Sequence, residues 1–181
     1  MPPGLILLAG TSESGKSTAG SHLELRGARR IKIRSLLAGL HSGRPVTHEG
    51  VPMREDFDHQ EFLIMVGQLP QAGDPRVLVI ESFIDVDLAE LTRNTWAAAA
   101  RIVFITATRA NRITRLAAAS GISFEKAATV VDRKDARKRV MEQWRRWRST
   151  ADDWIDNDSD HASYLARLDR VLAKATTGTR P

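Results

Sequence analysis

The sequence contains no cysteine. Disulfides and thiolate metal centres are thereby excluded, and any metal has to be held by oxygen or imidazole ligands. It also lacks any run approaching the roughly 18 consecutive apolar residues of a membrane-crossing helix. The opening MPPGLILLAG has neither a basic leader nor a cleavable flank, so it is expected to form a buried strand, and the protein to be soluble and cytoplasmic. Internal repeats and low-complexity segments are absent. His41, His48 and His59 do not fall at metal-ligand spacing and read as surface histidines.

Positive charge is in excess, with 27 Lys and Arg against 22 Asp and Glu, a net charge of +5. Such a balance favours anionic partners, either phosphorylated small molecules or nucleic acid. The charge is concentrated in RGARRIKIR and DRKDARKRVMEQWRRWR, whereas ADDWIDNDSD is acidic. At 181 residues and 42% hydrophobic content the chain is expected to form one domain with a buried core.

Short β-branched runs alternate with longer amphipathic stretches, the pattern of strands joined by crossover helices. Strands are expected at 5–10, 31–33, 76–81, 101–106 and 153–156, and helices at 16–25, 34–40, 57–67, 87–99, 109–120, 123–148 and 161–175. The fold class expected is α/β, a three-layer sandwich around a five-stranded parallel sheet.

Between the first strand and the first helix stands GTSESGKS, which matches G-x-x-x-x-G-K-[ST] in full from Gly10 to Ser17. Glycines at its ends let the backbone curl, so that amides point inward at phosphate oxygens beside the positive end of a helix. Gly10, Thr11, Ser12, Glu13, Ser14, Gly15, Lys16, Ser17 and Thr18 are therefore candidate nucleotide contacts. Lys16 would reach the β- and γ-phosphates, and Ser17 would ligate magnesium. A magnesium site also wants a carboxylate on a neighbouring strand, and Glu81, closing RVLVIE, is the candidate metal partner or base. Asp87 reads as the first-turn acid of the following helix.

With those residues placed, the chain resembles the P-loop nucleoside and nucleotide kinases, in the branch of nucleoside monophosphate kinases and dephospho-CoA kinase-like proteins. Four stretches carry the resemblance: LILLAGTSESGKSTAGSHLELRGARRIKIRSLL, VLVIESFIDVDLAEL, RIVFITATRANRITRLAAASGISFEKA and ADDWIDNDSDHASYLARLDRVL. Residues from about 40 to 75 have no clear counterpart. The resemblance implies a P-loop kinase fold with a helical lid at about 109–148 and an acceptor-binding insertion at about 34–70. It further implies that Asp156 and Asn157 lie beside the adenine, that Arg115 packs on it, and that Arg112, Arg133 and Arg137 are lid donors to the transferring group.

Departures from the family pattern are equally specific. Where dephospho-CoA kinases carry an aspartate after the second strand, this chain reads IKIRSLL, which argues against that activity. Ile84 stands where relatives carry an acceptor-binding arginine, and Ala119 where many carry a lid arginine. Either Lys32 and Arg34 then take over acceptor binding, or the acceptor differs from a plain nucleotide; Arg54 is a further candidate phosphate contact, with His48, Asp56, Asp58 and His59 as acceptor readers. The expected function is an ATP- and magnesium-dependent phosphotransferase acting on a small phosphorylated acceptor, with a (deoxy)nucleoside monophosphate leading. The alternatives are a kinase acting on a hydroxyl or modified base in nucleic acid, and a non-catalytic nucleotide-binding regulator.

Overall fold

The computed structural model describes residues 4–42, 58–69, 77–83 and 85–177. Arg54, His48, Asp56 and Ile84 lie outside them, as does much of the expected acceptor insertion. Five strands, β1 (Gly4–Gly10), β2 (Arg29–Lys32), β3 (Val77–Phe83), β4 (Ala100–Thr106) and β5 (Asp153–Asp156), form one sheet in the order β2-β3-β1-β4-β5. All four pairings are parallel. The helices are α1 (Lys16–Leu25), α2 (Ile33–Ser42), α3 (His59–Gln68), α4 (Val86–Trp96), α5 (Arg109–Ser120), α6 (Phe124–Arg137), α7 (Trp144–Thr150) and α8 (His161–Thr177).

β1 is buried along its whole length because both of its faces are covered, which is why it reads as an unbroken apolar run. Leu5, Leu7 and Ala9 face a core shared with α2, α3, α4 and α7. Ile6 and Leu8 face a second core built with α1 and α8. The three-layer α/β class expected from the sequence is thus the observed one. A third, small cluster of Ile113, Ala127 and Val131 joins α5 to α6 and belongs to neither face of the sheet.

Several boundaries differ from the expected ones for physical reasons. The second strand covers 29–32, not 31–33, because Ile33 already opens α2 and Arg30 is drawn into the sheet by a buried partner. β3 runs on to Phe83, since Ser82 adopts φ 75° and forms a bulge, so that Leu8 pairs with Glu81 and Ala9 with Phe83. The helix expected over 123–148 is broken: α6 ends at Arg137, Arg139 turns to φ 50°, and α7 starts at Trp144. α4 stops at Trp96, and a 3-10 turn over Ala97–Ala99 leads into β4.

The short β5 is held by its neighbours. Trp154 stacks on Phe104 at a centroid distance of 4.3 Å, Trp144 and Trp147 pack against the same ring, and Trp147 is 1% exposed. The buried Arg101 donates to Asp153 at 2.9 and 3.0 Å, clamping the other end of the strand. Among the described residues no helix is long and apolar enough to cross a membrane.

The β1–α1 loop emerges at the carboxyl ends of the strands, where the connection from β1 runs to β2 on one side and that from β3 crosses to β4 on the other. Open parallel sheets bind ligands at such a crevice.

Candidate functional site

Gly10 and Gly15 take φ values of 136° and 102°, which side chains disfavour. Space is as restrictive as conformation. A Cβ at Gly10 would fall 1.9 Å from the Ile105 carbonyl oxygen, and one at Gly15 would fall 2.4 Å from Asn157 Nδ2. The loop between them is braced from behind. Asn157 Nδ2 donates to the Ser14 carbonyl at 2.8 Å, Tyr164 Oη donates to the Gly15 carbonyl at 2.9 Å, and Ser14 Oγ donates to the Thr11 carbonyl at 2.9 Å.

Lys16 opens α1 and is folded under the loop, 6% exposed. Its ammonium donates to the Gly10 carbonyl at 3.0 Å and to that of Thr11. Burial, reinforced by the neighbouring Lys138 ammonium, brings its pKa down to about 7. A lysine so placed gains a strong counter-charge when an anion enters the loop.

On the other side of α1, Ser17 Oγ donates to Glu81 Oε1 at 2.6 Å. Glu81 is 1% exposed, so its carboxylate faces the interior beside Ser17 and not solvent. Its second oxygen, Oε2, accepts from Arg30 Nε at 2.7 Å and Nη2 at 2.6 Å. A hydroxyl and a carboxylate side by side are hard oxygen donors suited to magnesium, which takes few protein ligands beside water and phosphate. Among the described residues there is no cluster of three or more His, Cys, Asp and Glu side chains able to hold a metal ion.

Over the loop lie α5 and α6. The Ser12 amide donates to Asp135 Oδ1 at 3.0 Å, Arg112 Nη1 donates to the Ser12 carbonyl at 3.1 Å and to Asp135 Oδ2, and Lys138 Nζ reaches Ser12 Oγ at 3.2 Å. Lys134 pairs with Glu13 at 2.6 Å. Burial pushes the Asp135 carboxyl up, but the bonds from Arg112 and Ser12 outweigh it and hold it below the usual carboxylate range. Burial also lowers Lys138. Arg115 Nη2 donates to the Asn157 carbonyl, at the end of β5.

Three buried polar atoms at this site, Thr11 Oγ1, Arg112 Nε and Arg115 Nη1, have no partner among the described residues. Buried polar atoms are rarely left so: Thr11 belongs to the loop, Arg112 is bonded to it at Ser12, and Arg115 lies beside Asn157, where a nucleotide would supply partners.

Of the residues singled out from the sequence, Gly10 to Ser17, Glu81, Arg112, Arg115 and Asn157 come together here. Thr18 is exposed on α1. Lys32 stands opposite Glu81 in the β2–β3 register, and Arg34 is exposed in the first turn of α2. Arg133 and Arg137 lie on the exposed face of α6, while Lys134, Asp135 and Lys138 of the same segment reach the loop. Sequence reasoning missed Arg30, Asp135, Lys138 and Tyr164. The first three were hidden inside charge runs that resemble solvated helix faces.

No family model matches the sequence, and no curated relative does. Solved structures do. A gluconokinase from Sinorhizobium meliloti superposes with a TM-score of 0.56 at 19% identity, covering 97% of this chain and 94% of its own. A shikimate kinase from Bacteroides thetaiotaomicron gives 0.54 at 16% identity over 93% and 98%. The YorR protein of Bacillus subtilis, solved with phosphorylated GDP, gives 0.55 at 16% identity over 98% and 99%. At these identities the likeness is one of architecture. The sheet order, the loop after β1 and these superpositions together give the chain the fold of the P-loop kinases.

Proposed function

We propose that this protein is an ATP- and magnesium-dependent kinase that moves the γ-phosphoryl group onto a small anionic acceptor, with a (deoxy)nucleoside monophosphate as the leading case. The observation that carries the reading is the convergence, at one end of α1, of the buried Lys16, the Ser17–Glu81 pair and the Arg112–Lys138 cations above Ser12. The loop amides and Lys16 would bind the β- and γ-phosphates, and Arg112 and Lys138 would meet charge that spreads over the terminal group during transfer. Magnesium held at Ser17 and Glu81 would neutralise phosphate charge. Arg115 and Asn157 would bracket the base.

The use made of the carboxylates supports this acceptor class. Glu81 is engaged by Ser17 and twice by Arg30, and Asp135 by Arg112 and Ser12, so neither is poised to take a proton from a hydroxyl. An acceptor that arrives as a phosphate oxyanion needs no such base, and Lys32 and Arg34 at the end of β2 would attract it. Several exposed arginines are already paired with carboxylates, which weighs against a nucleic acid partner. Arg146 is spent on Asp87 and Glu90, Arg109 on Asp132, and Arg139 on Glu142.

The test is incubation with γ-labelled ATP and a panel of nucleoside monophosphates, nucleosides, gluconate, shikimate and oligonucleotides. Label is expected on a nucleoside monophosphate. Lys16→Ala should reduce the rate at least about 100-fold with the fold intact by circular dichroism. Turnover within tenfold of wild type would remove the loop from the mechanism, and label confined to a hydroxyl acceptor would overturn the acceptor class.

A further inference from the structure

Arg30 has no role in the reading of the sequence, yet it is the most heavily committed cation near the loop. It lies on β2, a strand at the edge of the sheet, and its side chain is 7% exposed. From there it crosses the face occupied by Val79 and Glu81 of β3. Two of its N–H groups, on Nε and Nη2, go to the single oxygen Oε2 of Glu81, while Nη1 donates to Ser21 Oγ at 2.7 Å. Glu24 is 3.8 Å away.

The surrounding backbone is shaped to admit this pair. Gly20 sits in the interior of α1, where glycine costs about 1 kcal/mol relative to alanine. A Cβ there would fall 2.5 Å from Arg30 Nε and 2.8 Å from Glu81 Oε2. Ser82, next to Glu81, forms the β3 bulge described above, a device that re-aims a side chain at the end of a strand. An edge-strand arginine, a helix glycine and a strand bulge thus agree on one orientation of one carboxylate.

We infer that Arg30 is the positioning residue of the metal site: by occupying Oε2 of Glu81 it leaves only Oε1 to face Ser17, so the pair presents a fixed set of oxygens to the cation. This rests on the kinase reading above. Without Arg30 the Glu81 carboxylate is free to rotate or to turn its full charge on Lys16, and the hydroxyl–carboxylate arrangement is lost. The side-chain partners of Arg30 are Glu81, Ser21 and Glu24, none of them in the phosphate loop. Groups that orient a metal ligand in this way typically carry 10- to 100-fold in metal affinity.

The experiment measures Mn2+, used as the spectroscopic stand-in for Mg2+, binding to the protein·ADP complex by electron paramagnetic resonance. ADP affinity in EDTA is measured in parallel by calorimetry. Arg30→Gln should weaken Mn2+ binding at least about tenfold while metal-free ADP affinity stays within about twofold, because Lys16 and the loop amides hold the phosphates. Arg30→Lys, which keeps the charge but loses the paired N–H groups, should fall between. Gly20→Ala, which improves helix propensity while displacing the pair, should reproduce the loss and carries the test if Arg30→Gln does not fold. Equal loss of Mn2+ and metal-free ADP binding would show a merely structural role and overturn the inference. Mn2+ affinity within twofold of wild type in both Arg30→Gln and Gly20→Ala would do the same. Failure of the wild-type protein to bind ADP at all would instead sink the kinase reading.

Discussion

The backbone N–H of Ser12 donates to the carboxylate of Asp135 at 3.0 Å, a contact between residues 123 positions apart in the chain. It puts a negative charge from α6 on an amide of the phosphate loop. Asp135→Asn should therefore tighten ATP binding about fivefold, since a half-buried carboxylate near the phosphates costs on the order of 1 kcal/mol after screening. Calorimetry at fixed ionic strength measures this, and an unchanged or weaker affinity would mean that Asp135 serves mainly to hold Arg112.

Lys16 gives a proton-linked prediction. Its folded pKa of about 7 lies below the ordinary lysine value of 10.5, so from pH 7 to 10 the unfolded chain binds more protons at this position. The sign of linkage then makes the ligand-free protein gain stability from Lys16 as pH rises through that window. A triphosphate entering the loop restores the ammonium, so binding at pH 8 takes up a proton and affinity falls as pH rises. Titrations in two buffers of different ionisation enthalpy should show the uptake, and Lys16→Met should abolish it.

For Glu81→Gln two losses are expected together. Turnover should drop at least about 100-fold, because magnesium loses its carboxylate partner and with it several kcal/mol of charge stabilisation at the transferring group. Arg30 is left buried without its counter-charge, a loss of about 3 kcal/mol, or roughly 6 to 12 °C in Tm for a chain of this size. Thermal melts and steady-state rates measure the two separately.

Arg115→Ala should raise KM for ATP about tenfold, the worth of a charged hydrogen bond of about 1.5 kcal/mol, with a smaller effect on KM for the acceptor. A larger effect on the acceptor would move Arg115 to the other side of the reaction.

The phosphate loop was legible because both of its glycines, its lysine and its serine are demanded by geometry, and because β1 is buried on both faces and so carries no polar residue to confuse the pattern. β3 and β4 were legible from their apolar runs Val77–Ile80 and Ile102–Ile105, although Glu81, Ser82 and Arg101 belong to the same strands. β2 was misplaced by two residues, since Arg30 is buried only by virtue of Glu81, 51 positions away, and nothing local announces it. The break between α6 and α7 was missed because DRKDARKRVMEQWRRWR keeps helical composition through Arg139, whose φ of 50° is set by tertiary docking of Val140 and Trp147 into the core. Asp135 and Lys138 share that difficulty: whether a charge in such a run faces water or the loop depends on which side of α6 is turned inward.

The α5–α6 hairpin keeps its small apolar cluster to itself, and its ties to the loop and to the end of β5 are polar ones, from Asp135, Arg112, Lys138, Lys134 and Arg115. Undocking the hairpin would expose charge and leave its oily interior intact. The heat-capacity change of that motion would be small, and dissolved electrolyte, more than temperature, would set how often the site stands open.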